Sequence, residues 1–396
     1  MQPSVTPVEK IAAQFDFQPR TRLVFGVHAV ERVGEIIREF GVKKVLLVTD
    51  PGIAKAGHAE HVLKSLATDG VTAVVFDRVR ENPTTRCVDD CLAVAKASGI
   101  EAIIGLGGGS SMDTAKGCNF LLTNGGQMKD YWGVGKATKP MLPLVAIPTT
   151  AGTGSECQSA TLIADEATHQ KMACLDPKAA ARVAILDPAL TVSQPARVTA
   201  CTGIDAIAHA VETTVTKKRN AISRMFSHEA FKLLAPNFAR VIANPQDLDA
   251  RGQMLLGAAF AGTAIENSML GAAHSMANPL TAHYGVVHGQ AVGMMLPHVI
   301  RFNAENEAAR LGYAELASAP EIACVSEGVE QAVEALIREI QTLLELAKMP
   351  ATLGDCGVKP SDLPKLAAEA AKQWTATFNP RAVTEKDFLA LYEAAF

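Results

Sequence analysis

An N-terminal α/β domain built on a parallel sheet, followed by an all-α C-terminal domain, is the fold class this sequence predicts. Three observations point to it. Up to about residue 190, short apolar runs alternate with helix-like stretches. After Pro188 the β-branched runs thin out and Ala, Leu and Met take over. The length, 396 residues, is enough for two separate cores. We place the boundary near residue 190, giving domains over 1–190 and 191–396.

In the first half, KKVLLVTD (43–50), VTAVVFD (71–77), IEAIIGLGGG (100–109) and LPLVAIPTT (142–150) read as strands. Each ends in Gly, Asp or Thr. HAEHVLKSLATDG (58–70) and CVDDCLAVAKASG (87–99) between them read as helices. Such alternation argues for a parallel sheet covered by helices. ATLIAD (160–165), KMACLD (171–176) and RVAILDP (182–188) add three strand-like runs. In the second half, RGQMLLGAAFAGTAIENSMLGAAHSMA (251–277) predicts one long helix crowded with Gly and Ala, which Pro279 ends or kinks.

Composition excludes several classes. The net charge is −4 and no Lys/Arg-rich run occurs, which argues against nucleic acid or an anionic membrane as partner. No apolar run is long enough to span a bilayer. The N-terminus, MQPSVTPVEKIAAQF, lacks the pattern of a signal peptide, and the eight cysteines are scattered. Together these predict reduced thiols in a cytoplasmic protein.

IIGLGGGSSMDTAK (103–116) is strand, glycines, helix. Free N–H groups and the helix dipole favour an anion there, although the same pattern serves as a plain tight turn. No Gly-Lys-Ser/Thr follows, so it is not an NTPase loop, and the G-x-G-x-x-G spacing is absent. Asp50 ends a strand, where a carboxylate can bind both hydroxyls of an adenosine ribose and repel a 2′-phosphate. PTTAGTGSE (148–156) follows another strand and is dense in hydroxyls and glycines. All three lie at strand C-terminal ends, where open α/β sheets bind ligands. Residues 1–190 are therefore predicted to bind a dinucleotide.

TGIDAIAHAVE (202–212) puts Asp205 and His209 four residues apart on one face of an apolar helix. A buried carboxylate needs compensation. A simple Asp–His pair or a metal both supply it. His274 and His288, in GAAHSMANPLTAHYGVVHG (271–289), occupy equally apolar settings, with His288 expected in a loop. One Asp with three His suits Fe(II) or Zn(II). His228, His283 and His298 read as hydrogen-bonded core residues. His28, His58, His61 and His169 read as surface residues without a role.

Taken together, GGGSSMDTAK, PTTAGTGSE, LDPALT (186–191), TGIDAIAHAVE and GAAHSMANPLTAHYGVVHG resemble the iron-containing (group III) alcohol dehydrogenases. The resemblance runs from RLVFGVHAVERVG (22–34) through GMMLPHVIRFN (293–303). It implies a dinucleotide-binding domain, a helical metal-binding domain and an active site in the cleft between them. It implies Asp205, His209, His274 and His288 as ligands of Fe(II), with Zn(II) suited to the same donors. Implied contacts for NAD are Asp50, Asn82, Gly108, Gly109, Ser110, Asp113, Thr149, Thr150, Thr153 and Lys171. The implied reaction is reversible hydride transfer between NAD and a small primary alcohol or diol, or its aldehyde. Family habit implies a homo-oligomer, a dimer or larger. Asn278 and His288 are the candidate catalytic residues. Many members carry a second histidine four residues after the third ligand, facing substrate; here that position is Asn278. A metal-dependent hydrolase or lyase using the same Asp and three His is the alternative, but it leaves the glycine loop and Asp50 without a task.

Overall fold

The structure, a computed structural model, describes residues 15–396 apart from His169. The N-terminal stretch up to residue 14 and His169 thus lie outside the described residues. The chain divides into two compact units. One comprises Pro19–Thr202 with Arg240–Gly262; the other contains Gly203–Ala239 and Thr263–Phe396.

The first unit runs β1 (Arg22–Phe25), α1 (Val33–Glu39), β2 (Lys44–Val48), α2 (Pro51–Lys55), α3 (His58–Thr68), β3 (Thr72–Phe76), α4 (Thr85–Ser98), β4 (Ala102–Gly107) and α5 (Gly109–Asn124). It continues through β5 (Gly133–Val134), β6 (Leu144–Pro148), β7 (Ala160–Ala164), β8 (Lys171–Leu175) and β9 (Val183–Leu186). Six strands make one sheet in the order β1-β9-β6-β4-β2-β3, every pairing parallel. Its inner strands β9, β6, β4 and β2 are apolar almost throughout because both faces are covered. On one face Val45, Leu47, Ile104, Val145 and Ile185 meet Ile36 and Ile37 of α1 and Val62 and Leu66 of α3. On the other, Leu46, Val48, Ile103 and Ala146 meet Cys91 of α4 and Met112 and Cys118 of α5. Alternate residues of each strand therefore serve opposite layers.

β7 and β8, predicted simply as further strands, leave this sheet. They pair antiparallel, Ala160↔Leu175 through Ala164↔Lys171, with β5 beside β8. The six residues linking them are too few for a parallel crossover.

The helical half runs α6 (Ala196–Val215), α7 (Ala221–Ala243), α8 (Leu248–Ser268), α9 (Ala272–Tyr284) and α10 (His288–Asn303). Then come α11 (Glu307–Ser318), α12 (Val329–Leu346), α13 (Leu363–Ala370) and α14 (Glu385–Ala394). Among the described residues no helix is long and apolar enough to cross a membrane. All eight cysteines are free thiols.

Three expectations need correction. The single helix over 251–277 is two, because the chain breaks after Ser268: Met269 takes φ +104° and Gly271 is extended. Packing is tight at Gly271: a Cβ there would lie 3.0 Å from Asn379 Oδ1 and 3.1 Å from Glu212 Oε1. Pro279 then sits inside α9, costing one internal hydrogen bond without ending the helix. His288 opens α10 instead of lying in a loop. His58, read as a surface residue, is buried at the start of α3, its Nε2 2.7 Å from Ser193 Oγ.

The loop after β6 is held from two sides. Lys116 of α5 is fully buried, and its Nζ donates to Ser155 O, Ser155 Oγ, Gln158 O and Ala160 O at 2.6–2.9 Å. Gly154, at φ +63°, lies against Gly262 of α8. A Cβ on Gly262 would stand 2.3 Å from Gly154 O, so only two glycines let these backbones touch. We expect Gly262→Ala to destabilise the protein by about 1–3 kcal/mol in urea denaturation, because the clash is with backbone. An unchanged midpoint would show that the contact relaxes freely.

Next to Ser155, Glu156 is buried and its Oε1 has no hydrogen-bond partner among the described residues. Burial pushes its carboxyl from 4.5 up to about 7, against a smaller downward pull from Lys116. The folded protein thus keeps a proton that the unfolded chain releases above pH 4.5. Its contribution to stability falls as pH rises from 4.5 to about 7 and is level beyond. Relative to the native protein, Glu156→Gln should gain up to about 3 kcal/mol between pH 4.5 and 8. Parallel stability–pH curves for the two proteins would refute the buried protonated acid.

Candidate functional site

The chain goes from β2 to β3 and then returns, so that β4 pairs with the other side of β2. That reversal is a topological switch point, and the crevice beyond the strand ends at such a point is where open α/β sheets bind ligands. The residues beyond β2 and β4 are Asp50 and Gly107–Ser110. Asp50 caps α2: its Oδ1 accepts from Gly52 N at 2.8 Å and Ile53 N at 3.0 Å. Its Oδ2 faces Gly107, 3.3 Å from where a Cβ would stand. Gly107 adopts φ +142° and Gly108 caps α5. At Gly109 a Cβ would come 2.9 Å from Thr153 Cγ2, and at Gly108 one would come 3.6 Å from Thr150 Oγ1. The loops after β4 and β6 therefore pack on each other, with α5 directing its N-terminus into the crevice.

The other residues implied as cofactor contacts have varied settings. Asn82 is exposed at φ +52°, its N–H donating to Ser110 Oγ at 3.3 Å. Thr149 is buried; its N–H donates to Gly107 O at 3.0 Å and its Oγ1 accepts from Gln194 at 3.1 Å. Asp113 turns inward. Its Oδ1 accepts from Ser155 Oγ at 3.0 Å and its Oδ2 from Leu162 N at 3.2 Å, so it ties α5 to the β6–β7 segment. Lys171 is exposed at the start of β8.

In the helical unit, α6 is buried all round from Gly203 to Val215. Small residues allow that packing. The Thr213 and Thr214 hydroxyls bond back to His209 O and Ala210 O, and Thr213 Oγ1 also lies 2.7 Å from Ser227 Oγ. The carboxylates do need one. Ligand atoms of Asp205, His209 and His274 all lie within 4.8 Å of one another. From Asp205 Oδ1 it is 3.5 Å to His209 Nε2, 3.5 Å to His274 Nε2 and 3.9 Å to His288 Nε2. The His209 and His274 rings stack at 4.9 Å, and His288 leans on His274 at 5.4 Å. Three of the four are buried, while His288 is about one-third exposed and forms the open side.

Glu212 completes the cluster. Its Oε2 lies 2.6 Å from His274 Nδ1. With Nδ1–H donated to Glu212, the neutral His274 ring turns an Nε2 lone pair toward Asp205 Oδ1, and neither atom has a hydrogen-bond partner among the described residues. Two acceptors facing each other in a buried space call for a cation. Without a metal ion, a second proton on the imidazole answers the same demand. Burial draws His274 down, but the Glu212 and Asp205 carboxylates outweigh it and raise the imidazole to about 9. Burial likewise pushes Asp205 up, and the surrounding imidazoles outweigh that and hold it well below the usual carboxylate range. Oxygen and imidazole donors in this ratio fit Fe(II) or Zn(II).

Asn278 shares the α9 face of His274 and donates from Nδ2 to Gln373 Oε1 at 3.0 Å. Glu212, Gln373 and Lys116 escaped sequence reasoning. Only Glu212 carried a signal there: it stands three residues after His209 and seven after Asp205, the spacing of one helix face. Of the histidines read as core residues, His283 is exposed and pairs with Glu369 at 2.7 Å, and His228 is half-buried, which lowers its pKa to about 4.

Comparisons with known proteins place the chain in a family along nearly its whole length. The model of the iron-containing alcohol dehydrogenase family matches residues 19–188, and that of the family's C-terminal domain matches 199–396. The NAD-dependent methanol dehydrogenase of Bacillus methanolicus is 34% identical over 94% of this chain and 97% of its own. The choline dehydrogenase of Bacillus subtilis is 36% identical over 98% and 97%. A crystal structure of 1,3-propanediol oxidoreductase superposes with a TM-score of 0.93 at 34% identity, covering 97% of this chain and all of that one. This chain is therefore an oxidoreductase that belongs to the iron-containing alcohol dehydrogenase family, which works with iron and NAD.

Proposed function

We propose that the protein is a metal-dependent NAD(H) alcohol dehydrogenase that interconverts a small primary alcohol or diol and its aldehyde. The observation that carries this is the convergence of Asp205, His209 and His274 in an otherwise apolar helical unit. Relatives named for methanol and 1,3-propanediol support the substrate class. The eight free thiols support a reducing compartment such as the cytoplasm.

Asp205 and His209 from α6, His274 from α9 and His288 from α10 would hold the metal. When bound, the ion supplies Lewis acidity toward an alcohol or carbonyl oxygen, and NAD supplies the hydride acceptor. The protein's own residues do the rest. Gly108, Gly109 and Ser110 offer backbone and hydroxyl donors to a pyrophosphate at the α5 N-terminus. Asp50 Oδ2 accepts from ribose hydroxyls. Thr150 and Thr153 line the facing loop. Asn278, locked by Gln373, orients a polar group through its amide. An amide does not titrate, so Asn278 orients without moving a proton.

We expect His274→Ala to lose bound metal and metal-dependent NADH oxidation with short aldehydes, while NADH binding, followed by fluorescence, stays near native. Full activity at unchanged metal content would overturn the ligand assignment. The Asp50 carboxylate predicts NAD over NADP. Asp50→Ser keeps a cap on α2 but removes the charge, and should raise the NADP-to-NAD ratio of kcat/KM at least about tenfold. Equal efficiency of the native protein with both cofactors would refute the role of Asp50.

A further inference from the structure

α9 begins without a cap of its own. Its N-cap is Gly271, which has no side chain to accept from the first turn. Two distant side chains do that work. Glu212 Oε2 accepts from Gly271 N at 3.1 Å and Glu212 Oε1 from Ala273 N at 2.7 Å. Asn379 Oδ1 accepts from Ala272 N at 3.2 Å and is itself held by Asn303. Glu212 has a third donor, His274 Nδ1 at 2.6 Å. One buried carboxylate thus satisfies two backbone amides at the positive end of a helix and the inward nitrogen of a ring on its first turn.

We propose that Glu212 is a positioning residue for the metal centre: it fixes the His274 tautomer with Nε2 as the lone-pair nitrogen, and so sets metal affinity. The proposal rests on the metal reading above. The geometry leaves little room for another tautomer. Glu212, as a carboxylate, only accepts, so His274 must place a hydrogen on Nδ1. The backbone amides keep the carboxylate from rotating away. A glutamine at 212 could not meet all three donors. Its NH2 would face either Ala273 N–H or His274 Nδ1, and in the second case the hydrogen moves to Nε2 and blocks the ligand atom.

A role in capping alone would give the same structure, so the test separates the two. Co(II) dissociation constants would be measured anaerobically by chelator competition for the native protein, Glu212→Gln and Asn379→Ala, each with its Co(II) absorption spectrum. Asn379→Ala removes a cap from the same helix turn without touching His274. We expect Glu212→Gln to weaken Co(II) binding about 10–100-fold and to alter the spectrum. Asn379→Ala should stay within about threefold of native, with an unchanged spectrum. Glu212→Asp, which draws the carboxylate back by one methylene, provides the same readings should Glu212→Gln not fold. Native-like affinity in the Glu212 variants, or equal weakening in Asn379→Ala, would overturn the proposal and leave a cap. A native protein that takes up no Co(II) would overturn the metal reading itself, and this proposal with it.

Discussion

Two carboxylates buried on α6, Asp205 and Glu212, flank a single imidazole, and the helical unit is arranged around the charge they impose. An uncompensated buried carboxylate costs several kcal/mol, a large share of a domain's net stability of about 5–15 kcal/mol. Glu212 is compensated by the start of α9 and by His274 Nδ1. Asp205 meets three imidazole nitrogens within 4 Å. The interruption at Met269–Gly271 follows from the same need. An unbroken helix would commit the amides of Gly271 and Ala273 internally and leave Glu212 with one partner.

In the α/β unit the governing constraint is close approach of backbones. Gly109 lets the loop after β4 lie on Thr153, and Gly154 with Gly262 lets the loop after β6 lie on α8. Lys116 gathers four oxygen acceptors from that segment around one buried ammonium. A ligand crevice at the β2/β4 switch point needs such loops to be rigid, because backbone donors bind an anion only when they are already aimed at it. The same packing explains why Asp113, which reads as a ligand contact in the sequence, spends both oxygens inside the unit.

Asn278 and Gln373 form a neutral pair on the α9 face that carries His274. Nothing at residue 278 can carry a proton, and the nearby charge is concentrated on the cluster of Asp205, Glu212 and the imidazoles. In the proposed function this pair orients a polar group of the substrate, and the donors for the cation stay Asp205 and the three imidazoles.

Much of this was legible in one dimension. Apolar runs of strand length alternating with helices specify a doubly covered parallel sheet, because only buried strands are apolar on both faces. Asp205 and His209 were visible because four residues are about one helical turn. The glycine run after β4 was visible, and the structure uses it: Gly107 takes φ +142° and a Cβ at Gly109 would lie 2.9 Å from Thr153 Cγ2. Local periodicity could not place what depends on distant partners. The break before α9 is set by Asn379, more than a hundred residues away, and by Glu212, about sixty away. The antiparallel turn from β7 to β8 depends on a link too short to cross over. Whether His274 and His288 meet Asp205 at all is decided by how α9 and α10 pack against α6. Sequence by itself determined which groups carry charge and which faces of helices and strands hide from water; tertiary packing alone decided which buried charges meet, because burial makes each seek a partner wherever the chain can bring one.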